Sequence, residues 1–247
     1  MGFNKEDIIG LIVIAFLLIV LATTDVRQNQ YEEYSKLSET ELENLVAKKI
    51  IIQDGVSIEY QTEIVEQVML LKAVSDETLY KLLDNNIEIK VVSHSSSLGD
   101  DYVGSFSRGS SIQSIEADSS LATLSMLTEL VNNITTYQIV IDYRYIDYAL
   151  LHEIGHYFYK VDNLENNAEL NSLIEQVGTE VIKTELDGSE YFTSYPEFYA
   201  EVFKMYFQGT LKNEQLSGYL NKEYGGGEQS SPFLLVWYAP ARNTSKY

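Results

Sequence analysis

The sequence predicts an α+β fold: a small mixed sheet packed on helices that carry the candidate chemistry, preceded by an apolar N-terminal helix. Three observations lead there. Apolar residues recur at three- and four-residue spacing through most of the chain, the period of a helix with one buried face. Two short runs, Ile87 to Ser93 and Gln138 to Tyr143, alternate and are rich in β-branched side chains, as strands are. Ile8 to Ala22 is apolar throughout except for Gly10.

The 247 residues suffice for one sizeable domain and an appendage. With 37 acidic against 17 basic residues the net charge is −20. Such a surface repels nucleic acid and anionic headgroups and draws divalent cations towards it. There is no cysteine, so disulfides and thiolate metal sites are excluded. Any zinc ligand must come from His, Asp or Glu.

Taken in order, residues 1–27 read as a signal peptide or membrane anchor. The run from 8 to 22 would form a helix of about 22 Å, short for a full span and long for a signal-peptide core. A buried core helix is the alternative. Residues 28–40 are polar and read as a stalk, and 41–247 as the folded domain. Helices are expected from Glu41 through Lys49-Ile50, over Ser57 to Val74, and from Ser75, as N-cap, to about Asp84. The Ile87 to Ser93 strand follows, then a loop, a strand over Tyr102 to Ser107, a turn, and a third strand over Ile112 to Ile115. Leu121 to Asn132 fits a helix or a long loop.

The Gln138 to Tyr143 strand leads into a helix over Arg144 to Tyr159. Asn163 to Lys183 and Pro196 to Gln208 are further helices, separated by a turn at Asp187-Gly188-Ser189. Gly209 ends the second of them. Glu223 to Ser231 reads as a mobile loop and Phe233 to Tyr238 as a terminal helix.

The chemistry centres on His152-Glu153-Ile154-Gly155-His156. Residues four apart on a helix share a face, so His152 and His156 can grip one metal ion. Glu153 is rotated about 100° from His152 and can stand beside the metal as a base. Only three histidines occur in the chain, and two are in this motif. His94, at the end of a strand, reads as a solvent-facing or packing residue.

Two histidines leave zinc one protein ligand short. The metzincin extension requires Gly and His where this chain has Tyr159 and Asp162, so that class fails; Asp162 itself is a minor ligand candidate. Glu197 and Glu201 lie one turn apart on the next strong helix. Glu197 fits as ligand and Glu201 as acceptor of the ring proton of a bound histidine. Two alternatives stay open: Ser194-x-x-Glu197 is also a capping-box pattern, and Glu201 could be the ligand instead.

The histidine motif, followed by Glu197-Phe198-Tyr199-Ala200-Glu201-Val202-Phe203, resembles the zinc metallopeptidase family of anthrax lethal factor and the bacterial secreted Pro-Pro endopeptidases. The resemblance spans residues 70 to 240 and is specific in these two helices. It implies a zincin-like domain of the glutamate-ligand (gluzincin) type, with Zn2+ on His152, His156 and Glu197 and with Glu153 as general base. It also implies a tyrosine seven residues before the ligand glutamate that stabilises the oxyanion. That position is Glu190 here; Tyr191 is adjacent and Tyr195 is the other option.

The expectation is therefore a zinc endopeptidase, monomeric, secreted or tethered through residues 8–22 with its catalytic domain outside the cell. It would act on peptides or proteins, possess no nucleic-acid partner, and use the Tyr102 to Ser107 edge to pair with an extended substrate. The alternative from another class is a cell-surface zinc- or peptide-binding module without turnover. Glu153 argues against it, since such a module has no use for a general base.

Overall fold

The structure, a computed structural model, describes residues 28–93, 110–118, 122–129 and 134–225. Side chains are described outside 110–136. The chain divides into two units, one ending at Leu42 and the other beginning at Glu43.

In the first unit, residues 28–34 form a helix, α1, inside the polar stretch. The next helix, α2 (Glu39–Ala47), starts two residues before the expected point. A capping box sets that start: Glu41 Oε2 accepts from the Ser38 amide at 2.8 Å, and Ser38 Oγ accepts from the Glu41 amide at 3.3 Å.

The second unit mixes helices with a five-stranded sheet in the order β1-β2-β5-β4-β3, compatible with the expected α+β class. Its strands are β1 (Ile50–Ile52), β2 (Ile87–Val92), β3 (Ser110–Asp118), β4 (Ala122–Glu129) and β5 (Ile134–Asp142). Strands β1, β2 and β5 are parallel, while β3, β4 and β5 form an antiparallel meander. Helices α3 (Glu59–Val74) and α4 (Asp76–Asp84) supply the crossover between β1 and β2 that a parallel pair requires. Ser75 stands at the N-cap of α4 as expected but makes no side-chain capping bond.

Three local expectations are corrected. Ile50 does not extend α2; Ile50–Ile52 pair in parallel with Ile89–Val91, because three consecutive β-branched residues fit a pleat better than a helix end. Ala122–Glu129 is strand β4, held between β3 and β5, rather than helix or loop. Glu214–Tyr224 is a helix, here α8, that the sequence reading passed over. Its signals are present: Asn213 Oδ1 caps the Leu216 amide at 3.0 Å, and Leu216, Tyr219 and Leu220 fall at helical spacing and are buried. Glu223 and Tyr224 thus belong to α8 rather than to a loop.

The expected apolar helix over 8–22, the strand over Tyr102 to Ser107, His94 and the segment Phe233 to Tyr238 lie outside the described residues. Among the described residues no helix is long and apolar enough to cross a membrane.

Central strand β5 aims the rest of the machinery. Ile139, Val140 and Ile141 are buried, in register with Ile89, Lys90 and Val91 of β2. The strand ends at the fully buried Asp142, whose Oδ1 accepts from the Arg144 amide at 3.0 Å and from Arg144 Nε at 2.9 Å. This cap starts a 3-10 turn, Tyr143–Tyr145, that passes into helix α5 (Ile146–Val161). An unbroken run from Ala149 to Tyr159 is buried, so α5 is a core helix. Helices α6 (Ala168–Glu185) and α7 (Tyr195–Phe207) complete the layer beside it, joined by the turn at Asp187 and Gly188, both with positive φ. Gly209, at φ 68°, terminates α7 in the left-handed conformation glycine adopts without strain.

Candidate metal centre

Helices α5 and α7 cross at Gly155. A β-carbon there would stand 2.8 Å from Ala200 Cα, so only glycine permits this approach. Apolar rings lock the crossing: Phe158 stacks on Phe203 with centroids 5.3 Å apart, and Tyr157, Phe198 and Tyr199 are buried around it. Residues on either side of Ala200 in α7 are therefore brought onto the His152 side of α5.

Glu197 and Glu201 occupy those positions. Glu197 Oε2 lies 3.1 Å from His152 Nε2 and 3.4 Å from His156 Nε2, and the two Nε2 atoms are 3.1 Å apart. For ligands about 2.0–2.1 Å from a tetrahedral zinc, neighbouring ligand atoms are separated by about 3.3 Å. The three observed edges match that triangle. Both histidines are buried, and this trio is the one set of His, Asp and Glu among the described residues whose ligand atoms cluster closely enough to hold a metal ion.

The protonation pattern leads to the same place. On its other edge, His152 Nδ1 lies 2.9 Å from Glu201 Oε2, and a neutral ring donates its proton there. Its Nε2 is then a lone pair facing a carboxylate oxygen and a second imidazole nitrogen. A proton or a cation must sit between them, and a metal ion satisfies all three at once. Formal charges agree: Glu153, Glu197 and Glu201 against Lys204 leave the pocket at −2 with neutral imidazoles, which a divalent cation offsets.

The electrostatics of the site follow from these contacts. Burial pushes the Glu197 carboxyl up, but hydrogen bonds from His152, His156 and Tyr191 outweigh it and hold the group well below the usual carboxylate range. Burial lowers His152, and its bonds to Glu197 and Glu201 more than reverse this, so the ring is raised. Glu201 is likewise lowered: burial opposes ionisation, and His152 and Lys204 overcome it.

No protein-family model, curated protein or solved structure matches this chain.

The remaining predicted residues sort by geometry. Glu153 is 2% exposed, beside His152 on α5. Ser194 makes no side-chain capping bond and Glu197 Oε2 turns to the histidines, so the capping-box pattern is not what orients that carboxylate. Glu201 meets the outer nitrogen of His152, which leaves Glu197 as the carboxylate facing both Nε2 atoms.

Asp162 ends α5 elsewhere: it ion-pairs with Lys81, and its Oδ2 accepts from the Tyr224 hydroxyl at 3.0 Å. Tyr191 sits on the 3-10 turn Glu190–Thr193, is 40% exposed, and hydrogen-bonds Glu197. Tyr195 instead donates to Glu175 Oε1 at 3.3 Å on the exposed side of α6.

Two residues escaped the sequence reading. Phe192, buried, places its ring 6.5 Å from that of His152 and walls one side of it. Lys204 is buried and ion-pairs with Glu201. Its spacing of three residues from Glu201 was the available signal.

Proposed function

We propose that this chain is a zinc-dependent endopeptidase of the glutamate-ligand class, with a zincin-like domain of the family its two helical motifs resemble. The observation that carries the reading is the buried triangle of His152 Nε2, His156 Nε2 and Glu197 Oε2, with edges of 3.1, 3.1 and 3.4 Å. A zinc ion held by those atoms would supply Lewis acidity to a carbonyl and to a water molecule. Zinc is favoured because two imidazoles and one carboxylate are a donor set that would hold catalytic zinc.

The protein's own groups do the proton work. Glu153 accepts the proton of the attacking water and passes it to the leaving amine as the peptide bond breaks. Glu201 holds the His152 ring in the tautomer whose lone pair faces the metal. Tyr191, a half-exposed phenol already in contact with Glu197, donates to the oxyanion as negative charge develops there. The substrate is a peptide or protein, the working unit is a monomer, and the −20 charge disfavours nucleic acid. The apolar stretch 8–22 supports export or a membrane tether with an extracellular catalytic domain.

The test is hydrolysis of a peptide library by the full chain and by Glu153→Gln, each assayed for bound zinc. Wild type should cleave, and chelation should abolish the activity. Glu153→Gln should retain zinc while losing roughly 10²–10⁴ in rate. If both proteins bind zinc and neither cleaves, a binding module replaces the enzyme.

A further inference from the structure

Lysine is rarely buried unless paired, yet Lys204 is 7% exposed. Its ammonium contacts two groups. One is Glu201 Oε1, three residues back on α7. The other is the ring of Tyr148, whose centroid is 4.5 Å from Nζ. Tyr148 stands on α5 four residues before His152, one turn up the same face. The lysine therefore bridges α7 to α5 at the level of the first histidine.

Glu201 divides its oxygens. Oε1 goes to Lys204 and Oε2 to His152 Nδ1 at 2.9 Å. The terminal torsion of a glutamate is broad and roughly two-fold, so a carboxylate held at one oxygen can swing and misdirect the other. Held at both, it has one orientation. An exposed lysine at this spacing would contribute a few tenths of a kcal/mol as a surface pair. Burial and the aromatic cover place Lys204 in a different role.

Resting on the metal reading above, we infer that Lys204 is a positioning residue of the metal centre. By anchoring Oε1 of Glu201 it turns Oε2 onto His152 Nδ1, and so sets the ring plane that aims His152 Nε2 at the metal position. The chain Lys204–Glu201–His152 acts as one unit, and the Tyr148 ring covers the ammonium end of it.

The experiment is a zinc competition titration against a chromophoric chelator on the full chain. It compares wild type, Lys204→Met, Glu201→Gln and the double variant. Lys204→Met should weaken zinc binding about tenfold, the lower range for partners of ligating histidines. In the Glu201→Gln background the same change should cost less than about twofold, because the two residues work through one contact. Equal losses in both backgrounds, or none in either, overturn the inference.

Breaking a buried charge pair can unfold a chain. Should Lys204→Met alone fail to fold, the comparison of Glu201→Gln with the double variant decides. Equal zinc affinity upholds the inference and a further loss overturns it. A wild-type chain that binds no zinc removes the metal reading itself. Tight wild-type binding with Lys204→Met unchanged removes only the role of Lys204.

Discussion

Gly155→Ala is the sharpest test of how the two helices build the site. The added β-carbon would sit 2.8 Å from Ala200 Cα, 3.0 Å from Ala200 O and 3.2 Å from Phe203 Cβ. Carbon atoms pack at about 3.5–4.0 Å, so the helices must part by about 1 Å. The first two of those atoms are backbone and cannot rotate away. Overpacking of this kind costs about 1–3 kcal/mol. At about 2–4 °C per kcal/mol for a domain of this size, Tm should fall by roughly 2–12 °C.

The same displacement carries Glu197 and Glu201 away from α5. The His152–Glu201 contact, now 2.9 Å, would pass the limit of a hydrogen bond. Zinc affinity should drop by about tenfold or more, in line with loss of a ligand's orienting partner. Thermal denaturation with excess chelator isolates the packing effect, and zinc competition reads the site. Gly218→Ala on α8 is the control: nothing lies within 4 Å of its would-be β-carbon, so it should be neutral or stabilising by up to about 1 kcal/mol. A Gly155→Ala protein with wild-type Tm and wild-type zinc affinity would refute the crossing as the element that sets the metal site.

Two further outcomes follow from the placement of the acids and phenols. Glu197→Ala should abolish tight zinc binding. Asp162→Ala should leave it intact while destabilising the fold by about 1 kcal/mol, since it removes a partly buried ion pair with Lys81 and the partner of Tyr224; zinc titration and denaturant melts separate the two, and the opposite pattern would reassign the third ligand. Tyr191→Phe should lower kcat by about 10²–10³ with little change in KM, whereas Tyr195→Phe, whose hydroxyl faces Glu175, should behave as wild type. Equal effects of the two substitutions on kcat would remove Tyr191 from the chemistry.

Much of the fold was legible where the deciding interactions are local. The α5 and α7 helices, strand β2, the C-terminal end of β5 and the Asp187-Gly188 turn emerge close to their expected bounds, because periodicity and turn chemistry act within a few residues, while β5 begins four residues earlier than expected. The errors fall where a partner distant in sequence decides. Around Ala122–Glu129 leucines recur at three-residue spacing (Leu121, Leu124, Leu127, Leu130) while Ala122, Leu124 and Met126 alternate, and pairing with β5 on one side and β3 on the other selects the strand. Ile50–Ile52 is too short to declare itself and becomes a strand through Ile89–Val91, some forty residues on.

At the candidate metal centre the division is the same. The sequence by itself determined that His152 and His156 share a face, because four residues make one helical turn whatever surrounds them. It also restricted the ligands to nitrogen and carboxylate oxygen by lacking cysteine. That Glu197 faces both rings while Glu201 takes the outer nitrogen, and that Lys204 lies buried behind it, only the tertiary structure decided. Those relations depend on the crossing of α5 and α7 at Gly155 and Ala200, a contact between helices that no spacing along the chain encodes.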